Sequence, residues 1–243
     1  MATTATDGGL QRHPDSQFRI GGGRPAPTPY RPTYPIDGPY INAQHASYAS
    51  APVKGALIDL GIPGWLRVED ALKLYELAYF SSGDVLELGT HQGLSTSILA
   101  QALIDAGKGH HLITIDMEQV FIDKAQTELA ARQLDARVAF LCGDAGPFLD
   151  GFEAEGRTFG FAFVDHSHAY APVLKASRSL GPLLSPGGFA LYHDYVDRRN
   201  TLRRDAGESG QEYGVVAGAQ DGLAADLFEF FGCYGCTGLF HRR

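Results

Sequence analysis

Short apolar runs that end in a polar or acidic residue recur from about residue 84 onward. They are Val85-Leu86-Glu87-Leu88, His111-Leu-Ile-Thr-Ile-Asp116, Arg137-Val-Ala-Phe-Leu-Cys142, Phe159-Gly-Phe-Ala-Phe-Val-Asp165 and Gly188-Phe-Ala-Leu-Tyr-His193-Asp194. Their length and apolar bodies predict buried strands. Between them the spacing turns helical, predicting helices over about 93–107, 118–133, 170–184 and 215–227, the last with Val216, Ala219, Leu223 and Leu227 in phase. An earlier helix is predicted over 64–78, closed by Ser81-Ser82-Gly83, and residues 228–233 and 237–241 read as a closing hairpin. Alternating strands and helices predict an α/β, doubly wound, Rossmann-like parallel sheet covered on both faces.

Right-handed crossovers would bring the carboxyl ends of all these strands to one edge. That edge would carry Glu87, Asp116, Gly143-Asp144, Asp165 and His193-Asp194. After the first strand, Gly89 and Gly93 precede the helical Leu94-Ser95-Thr96, so backbone N–H groups and a helix dipole would face a ligand. A carboxylate beside N–H donors suits a ligand carrying both an amine and a carboxylate. The Gly-x-x-x-Gly spacing departs from the G-x-G-x-x-G fingerprint, which counts against NAD and an oxidoreductase on the same architecture. Asp116 can accept two hydrogen bonds from a ribose diol or cap the next helix. Asp144 or the Ala145 backbone can meet an adenine edge, or Asp144 can act as a cap. Asp165-His166-Ser167-His168 and His193-Asp194 place three imidazoles and two carboxylates on neighbouring strand ends, a set able to hold a divalent ion. Oxygen ligands favour magnesium or calcium, whereas imidazole favours iron, manganese or zinc. His168 can otherwise serve as a general base.

Composition divides the chain into a Pro/Gly-rich arm, 1–52, and a domain, 53–243. The arm holds eight of the thirteen prolines and a triple glycine at 21–23, so polyproline or coil is expected. Tyr30, Tyr34, Tyr40, Ile41 and Tyr48 predict that it lies extended on the body or on a neighbouring subunit, giving a homodimer or larger. A net charge of −8 with no basic stripe excludes nucleic acid as a partner. No apolar run approaches the ~20 residues of a membrane span, and the first residues lack the pattern of a signal peptide, so a cytoplasmic protein is expected. Cys142 is expected to be buried. Cys233-Tyr-Gly-Cys236 has redox or half-zinc spacing, but zinc would need two more ligands. The stretch 197–213 is predicted to be a mobile lid in which Arg198, Arg199, Arg203 or Arg204 meets an acidic substrate.

Across about residues 60–243, these motifs in this order resemble class I S-adenosylmethionine-dependent methyltransferases. Within that superfamily they are similar to the group of catechol O-methyltransferase, macrocin-type O-methyltransferases and cephalosporin-hydroxylase-like proteins. The resemblance implies a doubly wound seven-stranded sheet with a closing antiparallel hairpin. It implies that Glu87, Gly89, His91, Gly93 and Ser95 surround the methionine end of the cofactor, that Asp116 binds the ribose with Met117 beside the adenine, and that Asp144 and Ala145 meet the adenine edge. It further implies a divalent metal, magnesium by family, on Asp165, His193 and Asp194, with His193 replacing the usual acid. His168 falls where the catechol enzymes carry a catalytic lysine. The implied reaction is in-line methyl transfer to a small hydroxylated acceptor, with Asp165 and His168 as catalytic groups.

Overall fold

The computed structural model describes residues 9–12, 29–207 and 211–243. The expectations for the first eight residues and for the triple glycine at 21–23 lie outside the described residues. The seven-stranded sheet contains β3 (Val85–Leu88), β4 (Leu112–Asp116), β5 (Val138–Cys142), β6 (Phe159–Val164), β7 (Leu184–Tyr192), β8 (Phe228–Tyr234) and β9 (Thr237–Arg242). Its order is β5-β4-β3-β6-β7-β9-β8. The first five strands are mutually parallel, and β9 and β8 join antiparallel as the expected hairpin. The chain leaves β3 toward β5 and then returns to β6 on the other side of β3. That reversal opens a crevice above the carboxyl ends of the strands.

Period-two alternation divides the core between the two faces of the sheet. Val85, Phe161 and Phe163 point toward α2 (Val68–Phe80) and α3 (Leu94–Ala106). Leu86, Leu88, Ala162 and Val164 point toward α5 (Ala145–Ala154), α6 (Tyr170–Leu183) and α7 (Val215–Gly222). The helix α4 (Gln119–Ala131) links β4 to β5.

Several elements differ from the sequence reading. The helix α2 starts at Val68, not near 64, because the Arg67 N–H donates to the Asp70 carboxylate at 2.8 Å and so fixes the first turn there. Residues 64–67 are therefore not helical, and the Ile58 N–H reaches the Leu66 carbonyl at 2.9 Å. The helix α5 was unassigned because Gly146, Pro147 and Gly151 lower its propensity; proline is tolerated in a first turn, and Asp144 caps it. The helix α7 ends at Gly222, five residues early. Cys142 is exposed rather than buried, since β5 is an edge strand and Cys142 its last residue.

The proline-rich segment is not coil throughout. It includes α1 (Ala43–Ala49), capped by the Asn42 side chain accepting from the His45 N–H at 2.8 Å, and it leads into a small ladder of β1 (Val53–Lys54) with β2 (Leu57–Ile58). From residue 29 it lies on its own body, where one carboxylate of α2 fastens it. Glu76 accepts from the Tyr30 hydroxyl, the Thr33 and Tyr34 N–H groups and, at 2.5 Å, the Lys73 ammonium. Lys73 also donates to the Arg31 carbonyl and the Thr33 hydroxyl. Both side chains are fully buried, so removing one strands the other. Lys73→Met should lower the unfolding free energy by about 3 kcal/mol. The double change Lys73→Met/Glu76→Gln should cost less, and urea denaturation of the two variants checks the difference.

Candidate functional site

The strand register explains why the polar tips meet. Leu88 lies level with Ile115 and Val164, Val164 with Tyr192, and Ile115 with Leu141. The next residues, Gly89, Asp116, Cys142, Asp165 and His193, therefore form one row across the sheet edge. The ladder continues into that row: Asp165 N–H donates to Leu88 at 2.8 Å, Gly89 N–H to Ile115 at 2.8 Å and His193 N–H to Val164 at 3.1 Å. A cavity of about 940 Å³ opens above it.

On one side of the cavity the chain turns sharply. Gly89 has φ +101°, and a Cβ there would run into the Asp165 carbonyl, so only glycine permits this approach. His91 has φ +45°, and its N–H donates to Asp116 Oδ2 at 2.7 Å; the other oxygen of Asp116 accepts from the Glu118 N–H at 3.0 Å. The His91 ring sits 5.2 Å from Trp65 and 4.5 Å from Phe121, and burial lowers its pKa.

Beneath this turn lies Glu87. Its carboxylate is fully buried and accepts from Ser95 at 2.5 Å and from Thr96 and Thr114 at 2.6 Å each. Burial raises its pKa to about 7, against the pull of the three hydroxyls.

On the other side, His193 is buried between acids. Its Nδ1 lies 3.2 Å from Asp165 and 3.8 Å from Asp194, and its Nε2 lies 3.1 Å from Cys236 Sγ. Burial alone would lower its pKa, but Asp165, Cys236 and Asp194 hold it well above the ordinary imidazole value. Asp194 is held down to about 2 although burial opposes this; His193 and then His168 hold it there. His168 Nε2 lies 2.9 Å from Asp194 Oδ2, and its ring stacks on Tyr213 with centroids 4.1 Å apart and planes 3° from parallel. Arg199 lies 4.0 Å from the Tyr213 ring centre and pairs with Asp197 at 2.8 Å.

Of the expected residues, Gly89, His91, Ser95, Asp116, Met117, Asp144, Ala145, Asp165, His168, His193 and Asp194 line this one cavity. Glu87 does not: it lies under the wall and acts on the cavity through Ser95. Gly93 is also off the wall, where a Cβ would press on Ala125 and Leu129 of α4, so its role is helix packing. Asp144 caps α5 by accepting from the Gly146 N–H at 2.9 Å. Of the four arginines expected in a lid, Arg199 reaches the wall, while Arg203 pairs with Asp205 and Arg204 with Asp221. Trp65, Phe121, Tyr213 and Cys236 were missed as wall residues. The aromatic positions carry no local motif, and the isolated Cys-x-x-Cys gave a weak one.

Residues 86–195 match the family model described as a methyltransferase domain. No curated protein matches this sequence. The fold is shared with the O-methyltransferase from Bacillus cereus in complex with SAH, at 18% identity and TM-score 0.59, covering 82% of this chain and 87% of that one. It is also shared with the O-methyltransferase TomG from Streptomyces achromogenes, involved in tomaymycin synthesis and in complex with SAM. There the identity is 20% and the TM-score 0.55, over 83% of this chain and 90% of that one. With the sheet order above, the chain has the fold of these O-methyltransferases, and its residues 86–195 are similar to a methyltransferase domain. Among the described residues, no helix is long and apolar enough to cross a membrane.

The raised pKa of Glu87 makes stability depend on pH. The folded state binds this proton more tightly than the unfolded chain, whose carboxyl titrates near 4.5. The resulting stability is complete below about pH 4.5 and is lost as pH rises through about 7. Glu87→Gln should flatten that loss, on the order of 3 kcal/mol, in denaturation curves recorded from pH 4.5 to 8.

Proposed function

We propose that this protein transfers the methyl group of S-adenosylmethionine to a hydroxyl oxygen of a small metabolite. The observation that carries the reading is the convergence, in one cavity, of a nucleoside-type acid, Asp116, with an imidazole–carboxylate pair, His168–Asp194. The residues suit the cofactor: the turn at Gly89 gives an approach that a Cβ would block, and Asp116 ends the strand beside it. S-adenosylmethionine, when bound, supplies a sulfonium methyl that a nucleophile can displace in line.

The chain's own residues then have distinct tasks. Asp116 accepts from the ribose hydroxyls. Trp65, His91 and Phe121 form an aromatic wall along the cofactor side, with the exposed Trp65 at its rim. With Nε2–H donated to Asp194, His168 keeps Nδ1 as a base for the acceptor's hydroxyl proton. The ionised Asp194 then stabilises the imidazolium formed. Tyr213 fixes the plane of that imidazole, and Arg199, paired with Asp197, is the arginine on the cavity wall that an acidic acceptor would meet.

Magnesium on Asp165, His193 and Asp194 is not part of the proposal. A buried imidazole nitrogen lies against both carboxylates, and magnesium favours oxygen ligands. No step is assigned to it.

Titration calorimetry with S-adenosylmethionine and its demethylated product tests the cofactor half. Asp116→Ala should weaken both at least tenfold, about 1.4 kcal/mol; no binding by the unmodified protein at millimolar cofactor would end the reading. In assays over catechols and other hydroxylated acceptors, His168→Ala should lower kcat by about 10²-fold or more while leaving cofactor affinity nearly unchanged.

A further inference from the structure

We infer that Asp70, His193 and Cys236 form a binding site for one transition-metal cation of the zinc class, set into the floor of the cavity. This goes beyond the methyl-transfer reading and uses side chains which that reading leaves idle. Among the described residues, these three bring one donor atom each within 4.8 Å of one another, and all three are buried. Cys236 Sγ lies 3.1 Å from His193 Nε2 and 3.2 Å from Asp70 Oδ2. In a tetrahedral zinc site with Zn–S near 2.3 Å and Zn–N or Zn–O near 2.0–2.2 Å, donors stand roughly 3.3–3.6 Å apart. Small side-chain shifts therefore open the cluster to a cation.

Three features favour a metal over a plain hydrogen-bonded knot. The donor set is one sulfur, one nitrogen and one oxygen, which suits zinc and its neighbours rather than magnesium or calcium. The far nitrogen of the His193 ring, Nδ1, faces Asp165 at 3.2 Å, the outer carboxylate that commonly orients a metal-binding histidine. Finally, His193 and Cys236 line the cavity, so a fourth position would face the space where an acceptor hydroxyl or a water can bind.

The backbone holds the ligands in place. The turn between β8 and β9 puts Gly235 at φ +57°, where a Cβ would strike the Asp70 carboxylate, and the Cys236 N–H donates to Asp70 Oδ1 at 2.8 Å. Asp70 thus caps α2 and receives the hairpin, roles that account for its burial but not for a thiol set between its carboxylate and a buried imidazole. On binding, the Cys236 thiol gives up its proton to solvent, His193 binds through an unprotonated Nε2, and Nδ1–H stays on Asp165.

The test is metal analysis of the full chain prepared without a polyhistidine tag, followed by titration of the chelator-treated protein with Zn²⁺ and with Co²⁺. Expected are one zinc per chain, a near-ultraviolet thiolate-to-cobalt charge-transfer band, and a rise in Tm with zinc. Cys236→Ala should remove the band and weaken zinc binding at least a hundredfold, whereas Asp194→Asn should keep one equivalent. Unmodified protein with neither metal nor band overturns the inference even if a variant fails to fold. An equivalent retained in Cys236→Ala, or lost only in Asp194→Asn, overturns it as well. Calorimetry with S-adenosylmethionine in chelator reads the cofactor site alone, so failure of the metal site and failure of the methyltransferase reading stay separate.

Discussion

The carboxylate of Glu87 is the constraint on which the cofactor side of the cavity depends. It sits within β3, one residue before its last, and collects hydroxyls from Ser95 and Thr96 at the start of α3 and from Thr114 on β4. One buried group therefore sets the spacing among two strands and a helix. With that spacing fixed, the Gly89–His91 turn cannot drift, and the His91 N–H meets Asp116. An apolar residue in place of Glu87 would avoid the desolvation cost but leave three buried hydroxyls short of an acceptor. The raised pKa measures this tension: the quartet gives a defined geometry and gives up stability at neutral pH.

The opposite side is fastened by the last strands of the chain. Because β9 lies between β7 and β8, the turn at Gly235 comes back to the start of α2, where Asp70 receives it. That contact carries Cys236 to His193, which stands one residue beyond β7. Two elements distant in sequence, the cap of α2 and the closing hairpin, thus share the support of one imidazole. The same imidazole faces Asp165 across the row of strand tips. The hairpin covers a sheet edge and also builds the cavity floor.

Much of the site was legible because its residues end apolar runs. An acid at Asp116 or Asp165 interrupts a buried pattern, and strand register then places both in one row. The errors have the same origin read in reverse. Glu87 interrupts an apolar run from inside the strand, two residues before the row of tips; it points to the α3 side and is consumed by hydroxyls before it reaches the cavity. Trp65 was read as helical, since nothing local reveals that the Asp70 carboxylate starts α2 only at Val68. Asp70 itself looks like an ordinary helix-start acid, and only the hairpin, 166 residues away, gives it a second role. Tyr213 reaches His168 through the return of a long loop, a contact that no periodicity encodes.

The two sides of the cavity also handle charge differently, and this bears on the direction of chemistry. On the Gly89 side, Asp116 is held by two backbone N–H groups, one on each oxygen, which leaves it lone pairs toward the cavity. On the acceptor side, Asp165, Asp194 and Asp197 face His193, His168 and Arg199. Asp194 stays ionised far below neutral pH, so it would not take a proton from His168 but would stabilise the charge that His168 acquires. Carboxylates in excess of fixed cations near the reacting edge would also favour a sulfonium donor before transfer and lose that attraction once the methyl has left and the product is neutral at sulfur. Under the methyl-transfer reading, the same electrostatics would help bind the donor and help release it.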